Sequence, residues 1–280
     1  MDALWSLASA PSLTLGPDVF TLSYMAVKIR ERLIKYGKTF YRLGFHMKYT
    51  ITGDNLQFVN VEFNPGEVMF SDAGSMVYMS GNVRMEAKVS GGLLKGLKRT
   101  LTGESFFVTN FYADGGPGLV GFAGQVPGKV QALDLRGGKH WILQKSAFLA
   151  AEQAVDLDIA FQKRFGAALF GGEGLVLQSL KGEGTVFINA CGDFIEYNLQ
   201  PGQMMKVSTA HTVAWESSVS YDIQAVGGVK TALFGGEGLF VTTLRGPGRV
   251  ILQSMTLAKL ANSLIPFLPK NDSGGIRIGV

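Results

Sequence analysis

With 46% hydrophobic and only 17% charged residues, a chain of 280 residues can bury a large core, which excludes intrinsic disorder. The formal charge of +4 is local: residues 1–48 hold seven bases and three acids, and the remainder holds 19 of each, a poor electrostatic footprint for nucleic acid. A single cysteine, Cys191, excludes an internal disulfide and suits a reducing compartment, and no apolar run reaches the roughly 18 residues that a spanning helix needs.

In chain order, the first pattern is helical. Met25, Ile29, Leu33, Tyr36, Phe40 and Leu43 recur at spacings of three and four, which predicts an amphipathic helix with Gly37 as its weak point. Lys28, Arg32, Lys35, Lys38 and Arg42 occupy its other face. Such a helix suits an anionic membrane surface; an extension packed loosely on the body is the competing reading. Residues 1–46 are read as this extension, without the basic-then-apolar order of a secretory signal.

Beyond it the chain reads as all-β. Its 37 glycines follow no collagen period, so they mark turns and bulges between short strands. Internal repetition is the strongest signal. Residues 168–175, Ala-Leu-Phe-Gly-Gly-Glu-Gly-Leu, recur at 232–239, and at that offset 12 of 19 positions from Ala168 to Val186 are identical. Ala150, Glu152, Val155, Asp158 and Ile159 match Ala214, Glu216, Val219, Asp222 and Ile223. A weaker first copy contains Gly103-Glu104. Each copy opens on Pro-Gly (Pro65-Gly66, Pro127-Gly128, Pro201-Gly202) and later meets Gly-x-Gly (116–118, 182–184, 246–248).

The expected architecture is therefore one body over 47–280. It comprises three tandem sandwich-like or double-stranded β-helix-like units, near 47–121, 122–190 and 191–255, around a pseudo-threefold axis. Basic, apolar residues 92–100 read as an insertion in the first copy. Residues 136–139, Arg-Gly-Gly-Lys, read as an inserted hairpin in the second. Leu257, Leu260 and Leu264 predict a short helix that Pro266 stops, within a tail over 256–280.

Glu104, Glu173 and Glu237 are the candidate site, because each follows a glycine at the same place in its copy. Such a glycine permits a bulge that aims the next side chain. The carboxylate then either accepts turn N–H groups or joins a ring that binds a cation or polar ligand. The glycine pattern lacks the context of a phosphate loop. His46, His140 and His211 have no metal-ligand spacing. Cys191 reads as a small buried hydrophobe, a Cys–His dyad being the reactive alternative, and Ser105 lacks a nucleophile elbow. Phe106, Phe107, Phe111 and Tyr112 read as core rather than as a base-stacking platform.

Several phrases carry a family likeness: Gly91-Gly92-Leu93, residues 103–107, residues 146–150, the doubled Phe-Gly-Gly-Glu-Gly-Leu, and residues 246–250 with Gln253. They resemble the widespread prokaryotic proteins related to the mitochondrial "altered inheritance of mitochondria" protein number twenty-four, over about Met47 to Pro269. The resemblance implies a fold like that of the tryptophan RNA-binding attenuation protein, repeated within one chain. It implies no enzyme, and its mitochondrial members are tied to inner-membrane organisation. Residues 1–46 fall outside it, and relatives would begin near Met47.

The resulting expectation is a non-catalytic scaffold or binding protein without a cofactor or catalytic metal. It would be cytoplasmic and peripheral to the inner face of a membrane. Its partner would be an unknown protein or an anionic membrane surface, a homo-oligomer is compatible, and nucleic acid is not expected. The alternatives are a small-molecule or metal-binding module between repeats, and single-stranded RNA binding on an oligomer surface.

Overall fold

The computed structural model describes residues 39–40, 47–89, 107–163, 175–225 and 240–267. It divides into two compact units, Met1–Tyr41 and Arg42–Val280. Of the first, only strand β1 (Thr39–Phe40) is described; it corrects the C-terminal part of the helix expected over Met25–Leu43, where Thr39 and the β-favouring aromatic Phe40 are extended, and the rest of that segment, with Lys28, Arg32, Lys35, Lys38 and Arg42, lies outside the described residues.

The second unit is all-β. It opens with β2 (Lys48–Thr52) and continues with three sets of six strands. The first set is β3 (Phe58–Phe63), β4 (Val68–Asp72), β5 (Met76–Met79), β6 (Val83–Val89), β7 (Phe107–Ala113) and β8 (Gly118–Ala123). The second is β9 (Gly128–Asp134), β10 (Trp141–Gln144), β11 (Phe148–Glu152), β12 (Val155–Lys163), β13 (Leu175–Gly182) and β14 (Thr185–Cys191). The third is β15 (Phe194–Leu199), β16 (Met204–Ser208), β17 (Thr212–Glu216), β18 (Ser220–Ala225), β19 (Phe240–Arg245) and β20 (Gly248–Gln253). These are short apolar and β-branched runs closed by turn residues, the composition that favours strands.

Within each set the antiparallel pairings are the same. First pairs with sixth: β3–β8, β9–β14, β15–β20. Third pairs with sixth: β5–β8, β11–β14, β17–β20. Second pairs with fifth: β4–β7, β10–β13, β16–β19. Fourth pairs with fifth: β6–β7, β12–β13, β18–β19. Each third strand carries a bulge at one position, between Met76 and Tyr78, Phe148 and Ala150, and Thr212 and Ala214.

The sets are joined by strand pairing. β11 pairs with β4 of the preceding set, Ala150 opposite Ser71, Ala151 opposite Phe70 and Glu152 opposite Met69. β17 pairs with β10 in the corresponding register, Ala214 opposite Leu143, Trp215 opposite Ile142 and Glu216 opposite Trp141. Two six-stranded sheets result, ordered β6-β7-β4-β11-β14-β9 and β12-β13-β10-β17-β20-β15. The strands left over form the order β2-β3-β8-β5 and a three-stranded sheet, β16-β19-β18. A closed threefold body would pair β5 with β16; among the described strands each ends its sheet.

The core follows the joints. One cluster gathers Val59, Val61, Phe63, Phe111 and Phe122 of the first set with Leu149, Ala150 and Phe187 of the second. Another gathers Val207, Trp215, Leu244 and Val250 of the third with Ile142, Leu175 and Leu177 of the second. Phe70 stacks on Phe148 across the first joint at 5.6 Å between ring centroids. Burying each such side chain contributes roughly 1.5–3 kcal/mol.

The expected hairpin at residues 136–139 is corrected. Gly137 and Gly138 take positive φ, but β9 and β10, on either side, belong to different sheets. The segment is a loop between layers, fastened by Arg136, whose guanidinium forks onto Glu152 at 2.9 Å and reaches Asp134 at 3.1 Å. At the C-terminal end, α1 (Leu257–Leu264) starts on Thr256, whose hydroxyl accepts the Lys259 N–H at 3.1 Å, and a 3-10 turn (Ile265–Phe267) containing Pro266 follows.

Candidate functional site

Glu104, Glu173 and Glu237 lie outside the described residues. In chain order they fall between the fourth and fifth strands of the three sets, at 90–106, 164–174 and 226–239. Ser105 and Phe106 also fall there. His46 lies outside as well.

What the structure brings together is a cleft where the three sets meet. Asp72 and Ser75 from the first set line it, with Gln125 from the link that follows. Ser146, Asn189 and Cys191 come from the second set, Gln253 from the third, and Leu257 from α1. Its volume is about 110 Å³. The sixth strand of each set ends here, and the close approach is tight: a Cβ on Gly124 would stand 2.8 Å from the Asn189 side chain.

Gln253 is the hub. Its Oε1 accepts the Cys191 backbone N–H at 2.9 Å, and its Nε2 donates to the Ala210 carbonyl at 2.8 Å. His211 Nδ1 lies 2.7 Å from the Gln253 carbonyl oxygen. A carbonyl only accepts, so Nδ1 carries the proton. Cys191 and His211, far apart in sequence, therefore meet the same glutamine. It is the Cys191 main chain that takes part, while burial pushes the thiol pKa up and keeps it protonated. That protonation argues against a nucleophile.

Beside the cleft a buried polar chain crosses the second joint. Gln144 Nε2 donates to the Thr209 carbonyl at 2.7 Å and to Thr212 Oγ1 at 2.8 Å. Thr212 Oγ1 donates to the same carbonyl at 2.7 Å, and Thr242 Oγ1 to Thr209 Oγ1 at 2.9 Å. All four residues are buried, and each is hydrogen-bonded to at least one of the others. Sequence reading passed over them. The one available signal was an amide and hydroxyls set in apolar runs.

His140, the third histidine, bonds Ser179 Oγ through Nε2 at 2.8 Å. Burial, and then the Lys181 charge, lower its pKa. Phe111 is core, edge-on to Phe122 at 5.3 Å. Tyr112 is a surface group whose hydroxyl receives Lys88 Nζ at 2.7 Å, which lowers the phenol pKa. Among the described residues no three His, Cys, Asp or Glu side chains gather as a metal site, and no helix is long and apolar enough to cross a membrane.

Antiparallel sheets that each bridge two neighbouring strand sets, with a cleft lined by amides, hydroxyls and one carboxylate where the three sets meet, define an all-β protein of tandem joined units. The family model described as mitochondrial biogenesis AIM24 matches residues 49–255. An uncharacterised protein of Streptococcus pyogenes serotype M6 is 34% identical over 237 residues, covering 81% of this chain and 93% of that protein. A crystal structure of a Streptococcus pyogenes protein superposes with a TM-score of 0.66 at 30% identity, covering 79% of this chain and all of the other. The chain belongs to the AIM24 family.

Proposed function

We propose that the protein is a non-catalytic scaffold, held at an anionic membrane surface by its basic N-terminal segment. The observation that carries the reading is where the buried polar groups go. Gln144, Thr209, Thr212 and Thr242 serve the joint between strand sets, and Gln253 ties β14 to β20 and to the turn before β17. Such networks rigidify a framework when every member is satisfied. The family is described by a role in mitochondrial biogenesis, and that description names no reaction. Lys28, Arg32, Lys35, Lys38 and Arg42 supply the attraction for anionic lipid. The expected place is the inner face of a membrane, on the cytoplasmic side.

The test is co-sedimentation of the full chain with vesicles of phosphatidylserine and phosphatidylcholine. The full chain should pellet at low salt and be released as salt rises. A variant with Lys28→Glu, Arg32→Glu and Lys35→Glu should stay in the supernatant. Equal pelleting of both chains, or of neither, removes the membrane part of the proposal.

A binding module is the second reading, favoured by the 110 Å³ cleft lined from all three strand sets. Its volume and its polar lining, with the single Asp72 carboxylate, suit a small polar molecule held by amide and hydroxyl groups. Calorimetric titration with calcium and magnesium separates this from the cation reading of Glu104, Glu173 and Glu237. Heat that disappears in Glu173→Gln and Glu237→Gln would favour the cation.

A further inference from the structure

We infer that β5 of one copy pairs with β16 of a second copy of this chain, in the register that already joins its own strand sets, so that copies add head to tail. Both internal joints use one recipe: the third strand of a set pairs antiparallel with the second strand of the set before it. Among the described strands, β5 is a third strand with no preceding set, and β16 is a second strand with no following set. Each ends its sheet and presents a row of backbone donors and acceptors.

Side chains at these edges carry the mark of a missing partner. Val77 is 59% exposed, whereas Leu149 and Val213 at the same place in the internal joints are 1% and 0% exposed. Tyr78 is 40% exposed, against 0% for Ala150 and Ala214. Along β16, Met204 is 55% exposed and Met205 half-buried, while Met69 and Trp141, which match Met205, are 1% and 2% exposed.

Carrying the internal register over sets Tyr78 opposite Val207, Met79 opposite Lys206 and Ser80 opposite Met205. Lys206 stands where Phe70 and Ile142 stand inside the chain. Its methylene stem can cover Met79 while the ammonium stays wet. A lysine also blunts an edge, so this joint is weaker than the internal ones and depends on concentration. The contact is heterologous, because the two edges differ, and it propagates as a ring or an open line. It rests on strand topology and not on membrane binding, so either proposal can fail alone.

Full-length chains carrying Cys191→Ala with either Met79→Cys or Lys206→Cys test it directly. Paired strands hold opposite Cα atoms about 4.5–5.5 Å apart, within the span of about 4.4–6.8 Å that a disulfide bridges. Mild oxidation of the mixture should give a linked dimer that neither variant gives alone. A dimer from one variant alone, or none from the mixture, overturns the inference. With both cysteines in one chain, linked oligomers support it, and an internally bridged monomer overturns it. Sedimentation of the unaltered chain gives a second readout that no folding defect disturbs. The apparent mass should rise with concentration above the 30.1 kDa of one copy, and a constant 30.1 kDa overturns the inference. Lys206→Leu should tighten association about tenfold, because it restores an apolar residue at the place of Phe70 and Ile142.

Discussion

Individual side chains here do structural work that chemistry can read out. The Cys191 thiol is buried and its pKa is raised. It should resist iodoacetamide at about pH 8 in the native protein and react fully in denaturant; quick native labelling would contradict its burial. His140 has the opposite sign. Burial and Lys181 lower its folded pKa, so the folded chain binds fewer protons than the unfolded one. Its share of stability is present above the ordinary imidazole pKa of about 6.5 and is lost as pH falls from there through the lower folded pKa. The urea midpoint should drop between about pH 7.5 and pH 5.5, and the drop should shrink in His140→Gln; an unchanged drop would assign it elsewhere. Gly128 is the sharpest backbone constraint, since a Cβ there would stand 1.8 Å from the Ala190 carbonyl oxygen. Gly128→Ala should cost several kcal/mol, as overpacking against unyielding backbone does. At Gly81, where nothing lies within 4 Å, the same change should shift stability by less than about 0.5 kcal/mol.

At the scale of strands and turns, the joint between β10 and β17 depends on a buried hydrogen-bonded chain. Thr212→Val keeps the shape but leaves one Gln144 donor bond unmade and removes the Thr212 donation to Thr209. It should lower the stability by about 1–3 kcal/mol, read as a lower urea midpoint at an unchanged slope. The all-β class was legible because short apolar runs such as Val186-Phe187-Ile188 lie between glycine turns, and a local pattern suffices to place them. The helix over Leu257–Leu264 was legible for the same reason. Strand partners were not legible. Whether β10 pairs with β9 or with β17 depends on contacts distant in sequence, and Arg136-Gly137-Gly138-Lys139 looks like a hairpin turn from either side. The cleft was hidden for a related reason: Gln253 meets Cys191 and His211 only through sheet register. The glutamates were conspicuous as repeated letters, a signal of shared ancestry that does not by itself specify a contact.

Over the whole molecule, the joints make the strand sets thermodynamically inseparable. Their sheets and core clusters both cross the boundaries, so none of the sets can lose its structure without exposing apolar surface on a neighbour. Heating should therefore give one calorimetric transition over residues 47–267, with matching van't Hoff and calorimetric enthalpies. Resolved transitions for separate sets would contradict the shared core. The many pairings between distant strands also make refolding slow, in the range of milliseconds to seconds or longer.

The register common to both joints has a consequence for how the gene can change length. Excising the codons for 128–191 would let β4 meet β17, with Ser71 opposite Ala214 and Phe70 opposite Trp215, and the break would heal around one bulky contact. A stop codon after Cys191 would instead strip β17 from β10 and lay Trp141 and Ile142 bare. Shortening from within keeps a joint of the same register, and shortening from the end removes one.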